Sequence, residues 1–355
     1  MNAVQMHAPA GTKILVPGNL VVTEAEPGLL EQITAVLPTV TLQELLGPLD
    51  LALVQNREQV VALAITGRSP LGAPQMDALP ALKYVTTGST SYDNIDVAEA
   101  RARGILVSNV PDYGPAVAEF NILLMLALSR RLHRGYLKTL QDEFSRFGLL
   151  GSNISGKTLG LIGAGHIGRQ VLEYAKPYGM RLLAHDPYPI QEEAERIGFE
   201  YVPMHELLPQ ADILAICCPL NEHTRHMIGR EHFAMMKRGV LLVNTSRGEV
   251  LDTKALLWAL KKGIVEGAAL DVMESEGLMT REKLQTTLSA PTSPETSHSL
   301  AAGLTLMKHP RVIVTPHIAY FTRESLEEIA RVTAANLEGF FHGRPQNLVP
   351  EMRMP

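Results

Sequence analysis

Short apolar runs alternate with amphipathic stretches along most of this chain, and the alternation predicts parallel strands connected by covering helices. In the N-terminal part, residues 13–17, 60–66, 82–86 and 105–108 read as strands, with helices over 28–37 and 98–103. Unbroken apolar runs of this kind suit strands covered on both faces. Turn residues crowd the stretch 109–115, Asn-Val-Pro-Asp-Tyr-Gly-Pro, which makes it a candidate crossing between domains. The stretch 116–131 that follows is apolar on most faces, the pattern of a buried helix. Packing within its own domain and packing against a second subunit are both compatible with it. Further strands are expected at 159–162, 181–184, 213–217, 240–244, 267–272 and 311–315, with a helix at 254–262. The closing segment 324–341 is amphipathic and is expected to return to the N-terminal domain, making that domain discontinuous. Residues 277–309, which contain TSPETSHS, read as an excursion of loop and short helix with no chemistry assigned.

Composition narrows the class. A chain of 355 residues suits two domains with a sizeable core, and 46% hydrophobic residues fit a soluble globular protein. A net charge of −5 gives no electrostatic reason to expect nucleic acid. The apolar runs fall short of the roughly 20 residues a membrane span requires. Residues 1–12 lack the charged start and apolar core of a signal peptide and read as a loose tail. The two cysteines, Cys217 and Cys218, are neighbours, too strained to bridge readily, and read as buried thiols on a strand. A reducing, cytoplasmic compartment is the expectation.

Candidate chemistry concentrates in TLGLIGAGHIGRQVLEYAKPYGMRLLAHD, residues 158–186: strand, glycine turn, helix, strand, acid. Gly163 permits the tight turn, Gly165 lets the backbone approach a pyrophosphate, and Gly168 lets the helix pack closely on the strand. The helix start offers unpaired N–H groups to phosphates. Asp186, 18 residues after the last glycine, is placed to accept hydrogen bonds from a ribose 2′-hydroxyl. Residues 187–190, Pro-Tyr-Pro-Ile, supply no Arg for a 2′-phosphate, so NAD rather than NADP is expected.

Three further features follow predicted strands, where open α/β sheets place ligands. Asn244-Thr245-Ser246-Arg247-Gly248 holds an Arg whose planar fork can grip a carboxylate, although a surface salt bridge is as common a use. Asp271, Glu274 and Glu276 lie in ALDVMESE, where solvated loop charges are the ordinary case. In TPHIA, Pro316 stiffens the chain before His317; taken alone, such a His is more often structural.

Together these motifs resemble the D-isomer-specific 2-hydroxyacid dehydrogenases. The likeness runs from about Lys83 to Val349, with weaker patterns back to Lys13. LKYVTTGSTSYDNIDVAEARARGILVSNVPDYGPAVAEF is similar to the stretch containing the family's substrate-facing loop. CPLNEHTRHMIG, from Cys218, is similar to the segment contacting nicotinamide and ribose, and NTSRGEVLD, DVMESE and TPHIAYFT carry the family Arg, Glu and His as Arg247, Glu276 and His317. The resemblance implies two doubly wound parallel-sheet α/β domains: a Rossmann NAD-binding domain over 113–318 and a discontinuous flavodoxin-like substrate domain over 1–112 and 319–355. It implies interconversion of 2-oxo acids and D-2-hydroxy acids, with Arg247 binding the substrate carboxylate, His317 as general acid and base, and Glu276 holding the imidazole and favouring its charged form. Cofactor contacts are implied for Gly163, Gly165, His166, Ile167, Gly168, Asp186, Cys218, Pro219, Thr224, Thr245, Ser246, Arg247 and Asp271. The substrate is implied to meet Ser89, Thr90, Ser91, Tyr113, Arg247, His317 and Tyr320.

The chain departs from the family pattern in places. Phe120 stands where many members have His, and Ser91 replaces a frequent Gly. Tyr320 resembles the aromatic of the lactate-type and corepressor-like branches, and it and Tyr113 are pocket or packing residues with equal claim. Glu276 counts against formate dehydrogenase, which has Gln at that place. Phosphite dehydrogenase and an NAD-sensing corepressor-like interaction protein keep the same Arg, Glu and His and stand as alternatives. A homodimer is implied, with 116–131 as the candidate contact. No metal is expected, because His223 and His226 lack zinc-type spacing and partners.

Overall fold

Apolar runs form the strands of two parallel sheets, and the two most polar strands, TLQEL and EY, each lie at a sheet edge. The computed structural model describes residues 18–279 and 294–352. These divide into two compact units, 18–114 with 321–352, and 115–320. The crossings fall after Gly114 and Tyr320, against 112 and 318 in the sequence reading.

In the first unit the strands are β1 (Asn19–Thr23), β2 (Thr41–Leu45), β3 (Val60–Ile65), β4 (Tyr84–Thr87) and β5 (Leu106–Ser108), ordered β2-β1-β3-β4-β5 and all parallel. This is the flavodoxin-like winding. β3, VVALAI, is buried at every position, as a central strand must be. The strand expected over 13–17 lies outside the described residues, and the first described strand, β1, is NLVVT. The helix Arg323–Phe341 starts at Thr322, whose Oγ1 accepts from Ser325 N at 3.2 Å. Its Ala330, Ala334, Leu337, Phe340 and Phe341 join Leu20, Val22 and Ile33 in one core cluster. Tyr84 stacks on Phe340 with centroids 4.5 Å apart, and its hydroxyl donates to the Asn336 carbonyl at 3.2 Å. The returning helix is therefore part of the first unit's core.

In the second unit the strands are β6 (Thr158–Ile162), β7 (Arg181–His185), β8 (Glu200–Tyr201), β9 (Ile213–Ile216), β10 (Val240–Asn244), β11 (Val265–Leu270) and β12 (Val312–Val314). Their order, β12-β11-β10-β9-β6-β7-β8, is that of a doubly wound dinucleotide fold, reversing direction between β6 and β9. Ligands of such sheets bind at that crevice, beyond the carboxyl ends of the strands. Cys217 and Cys218 come just after β9 rather than on it. The helix Ala116–Ser129 spends its apolar faces inside this unit: Ala118, Ile122, Leu124, Met125 and Leu128 pack with Val171, Leu172 and Val243. Within 277–309, the helix Pro294–Met307 is longer than expected, and Leu306 joins the core with Leu256 and Val312.

Candidate active site

The crevice between β6 and β9 is built by glycine. Gly163 leaves β6 at φ +92°, and a Cβ there would meet Cys218 N at 2.6 Å. At Gly168 an added Cβ would strike the Gly163 carbonyl oxygen at 2.1 Å, so only Gly lets the helix His166–Ala175 start this close to the strand. Around Gly165 an added Cβ meets nothing within 4 Å. A tight turn, a close helix start and open space at the middle glycine fit a pyrophosphate. Asp186, after β7, accepts from Ala164 N and Tyr188 N, each at 2.8 Å, which fixes the carboxylate beside the glycine turn. His166 and Ile167 form the first turn of the helix. Cys218 is buried, which pushes its thiol up to about 12, and burial raises the Cys217 thiol as well. Pro219 and Thr224 close the turn after β9 through Thr224 Oγ1, which donates to the Pro219 carbonyl at 2.7 Å.

Three loops at the same edge of this sheet carry the expected chemistry. After β11, Glu276 Oε1 lies 2.7 Å from His317 Nδ1, and Glu276 Oε2 accepts from Met273 N at 3.2 Å. Burial opposes ionisation of Glu276, but the His317 hydrogen bond and charge, the Met273 amide and the Arg247 charge outweigh it and hold the carboxyl below its ordinary value. The folded carboxyl thus sits lower than the unfolded one. The pair's stabilisation is therefore present above the unfolded value and is lost as pH falls through the folded one. Accordingly, the difference in urea stability between wild type and Glu276→Gln is expected to shrink on acidification, and a difference that grows would contradict it.

His317 sits at φ +56°, a conformation costly for a residue with a Cβ. Asp271 supplies the restraint. Its carbonyl accepts from His317 N at 2.9 Å, while its 1% exposed carboxylate accepts from Thr315 Oγ1, Ile318 N and Ala319 N at 2.6–2.9 Å. The Asp271 carboxylate, expected to face the cofactor, makes its hydrogen bonds to the loop that presents His317. Tyr320 stands edge-on to the His317 ring, centroids 6.1 Å apart.

Arg247 follows β10 in a loop tightened by Asn244, whose Nδ2 donates to the Arg247 carbonyl at 2.9 Å and whose Oδ1 accepts from Ser246 N and Ser246 Oγ. Thr245 is buried, and its Oγ1 accepts from Asn121 Nδ2 at 2.7 Å. The only signal for Asn121 in the sequence is an Asn on the mostly apolar helix Ala116–Ser129. In the first unit, Ser89, Thr90 and Ser91 follow β4, with Ser89 Oγ donating to the Ser91 carbonyl at 2.5 Å and Asn109 Nδ2 to that of Thr90 at 2.7 Å. The Tyr113 carbonyl accepts from Ser325 Oγ at 2.9 Å. Among the described residues no group of three or more His, Cys, Asp or Glu could hold a metal ion, and no helix is long and apolar enough to cross a membrane.

A doubly wound dinucleotide sheet with a guanidinium and a His–carboxylate pair at its carboxyl edge defines a nucleotide-dependent dehydrogenase. Residues 122–319 match the family model of the D-isomer specific 2-hydroxyacid dehydrogenase NAD binding domain. The chain belongs to that family: it is an NAD-dependent D-2-hydroxyacid dehydrogenase. It is 37% identical over 291 residues to 2-hydroxyacid dehydrogenase homolog 1 of Schizosaccharomyces pombe, covering 81% of this chain and 85% of that one. It is 37% identical over 272 residues to the D-lactate dehydrogenase of Escherichia coli, covering 76% and 79%. The crystal structure of D-lactate dehydrogenase from Aquifex aeolicus complexed with NAD and lactic acid superposes with a TM-score of 0.82 at 30% identity, covering 92% of this chain and 96% of that one.

Proposed function

We propose that the protein reduces small 2-oxo acids to D-2-hydroxy acids and runs the reverse oxidation, with His317 moving the proton, Glu276 orienting its ring and Arg247 holding the substrate carboxylate. The observation carrying this reading is the 2.7 Å His317–Glu276 contact at the carboxyl edge of the dinucleotide sheet, within the field of Arg247. NAD, when bound, supplies or accepts the hydride at the substrate's second carbon. Gly163, Gly165, Gly168, His166 and Ile167 would receive its pyrophosphate, and Asp186 its adenosine ribose. Cys218, Pro219, Thr224, Thr245 and Ser246 would line the rest of the crevice. Arg247 forms parallel charge-assisted bonds to the carboxylate, leaving the keto oxygen toward His317. His317 Nε2, opposite the nitrogen engaged by Glu276, gives its proton to that oxygen during reduction and takes it back during oxidation. Tyr320, edge-on to the His317 ring, would wall the pocket on this side.

Oxidation of NADH with pyruvate, glyoxylate, hydroxypyruvate and bulkier 2-oxo acids tests the reading; no turnover on any of them would overturn it. The likeness to D-lactate dehydrogenases puts pyruvate first. Because reduction consumes a proton that oxidation releases, reduction is expected to favour lower pH. Superimposable pH–rate profiles for the two directions would contradict a single proton-carrying His. Asp186→Ala should lower the preference for NAD over NADP, measured as the ratio of their kcat/KM values, since its carboxylate repels a 2′-phosphate; an unchanged ratio would remove that role.

Homodimerisation belongs to the same proposal, with a shifted contact. The helix Ala116–Ser129 is mostly covered by its own unit. The exposed apolar surface follows it, on Tyr136, Leu140, Phe144, Phe147 and Leu150, with Phe144 98% exposed. Five large apolar side chains exposed within 136–150 fit an interaction surface. Sedimentation should show a dimer that Phe144→Glu with Phe147→Glu dissociates; a monomeric wild type would refute it.

A further inference from the structure

The loop that carries Glu276 makes a second close His–carboxylate contact, to which the proposed proton transfer assigns no role. His226 Nε2 is 2.5 Å from Glu274 Oε1. Glu274 Oε2 accepts from Thr253 N at 3.1 Å, at the start of the helix Thr253–Lys261. Glu274 is two residues from Glu276, on the loop after β11. His226 belongs to the loop after β9 and is held at φ +52°. Its backbone N–H donates to the Glu249 carbonyl at 2.7 Å, and Ile228 N and Asp252 N continue the stitching, bonding to Val250 and Ile228 carbonyls at 3.1 Å. That partner segment is the continuation of the Arg247 loop. Where it passes the β11 loop, a Cβ on Gly248 would lie 2.0 Å from the Met273 carbonyl carbon and 2.3 Å from Glu274 N, so the two backbones are in contact one residue after Arg247.

We propose that His226 and Glu274 act as a positioning pair, clamping the loops after β9, β10 and β11 so that Arg247 stays in register with the Glu276–His317 pair. This rests on the role assigned above to Arg247, Glu276 and His317. Glu274 is the hub: one oxygen grips the β9 loop through His226, the other grips the chain just past the Arg247 loop through Thr253. The His226 side chain is 51% exposed, so the contact adds little to global stability, as surface pairs do. Its effect is geometric, and displacements of about 1 Å in a catalytic group can cost roughly a hundredfold in rate. Conformational strain at His226 fits this use, since sparsely populated backbone states persist where surrounding bonds over-determine them.

His226→Ala, His226→Gln and Glu274→Gln are compared with wild type and His317→Ala for kcat and KM with pyruvate and NADH, NADH binding by fluorescence, and thermal melting. His226→Ala is expected to lower kcat/KM for pyruvate by about 10- to 100-fold. NADH affinity and melting temperature should stay close to wild type. His226→Gln, whose amide can still donate to Glu274, should recover most of the loss. His226→Ala and Glu274→Gln together should cost little more than either alone, because they break one contact. Wild-type kinetics in His226→Ala alongside an inactive His317→Ala would overturn this inference and leave the site reading standing. Full activity in His317→Ala would overturn both. A loss in His226→Ala matched by lower melting and not recovered by Gln would make His226 structural and likewise overturn it.

Discussion

Replacing His317 by Ala is expected to reduce turnover in both directions by roughly 10²–10⁴-fold, the usual cost of losing a general acid. NADH binding should change little, because the imidazole contacts Glu276 and Tyr320 and, in the proposed role, meets the substrate oxygen. The loop should survive the substitution, since Asp271 restrains it through Thr315 Oγ1, Ile318 N, Ala319 N and the backbone of residue 317, none of which needs the imidazole. Alanine will still pay for the left-handed backbone, so a small drop in melting temperature is expected and does not bear on the role. Two signatures separate proton transfer from packing. The pH dependence carried by this His should disappear in both directions. Glu276→Gln should give a smaller loss than His317→Ala, because Gln can still orient the ring but carries no charge to balance it. A His317→Ala protein that turns over at the wild-type rate would end the assignment, and with it the reading of the site as a proton-coupled hydride-transfer centre.

Much of this site was legible because its parts are local. The glycine turn with Asp186, the Arg after β10 and the Pro-His after β12 each sit within a few residues of a strand end, and an open sheet aligns those ends. Central strands were legible for the same reason: VVALAI and VLLVN need burial on both faces. The edges were not. TLQEL became β2 and Glu200–Tyr201 became β8 because each borrows a neighbour's hydrogen bonds, and neither sequence demands it. The contacts that set the loops are nonlocal as well. Asn121 reaches Thr245 across 124 positions and Glu274 reaches His226 across 48, so neither shows as spacing. In the sequence His226 stands out only as a poor metal ligand. Nothing local to Asp271 signals its bonds to the His317 loop, which reach 44 to 48 positions along the chain.

Arg247→Ala should be the more damaging change for substrate capture. Two charge-assisted hydrogen bonds contribute about 1.5–3 kcal/mol each, so losing both removes roughly 3–6 kcal/mol. At about 1.4 kcal/mol per decade, kcat/KM for the 2-oxo acid should fall by roughly 10²–10⁴-fold. Because the carboxylate is bound in ground and transition states alike, much of this should appear in KM. Arg247→Lys keeps the charge without the planar fork and should fall between wild type and Ala. The Arg247 charge also helps to hold the Glu276 carboxyl below its ordinary value. Its removal should let that carboxyl rise, so that Glu276 takes up a proton at a higher pH and the acid limb of the reductive profile moves upward. Lys should keep most of that limb in place while still losing substrate affinity, which separates the electrostatic role from the bidentate one. If Arg247→Ala stays within roughly threefold of wild type in kcat/KM, the carboxylate is held elsewhere and the guanidinium is not the substrate anchor.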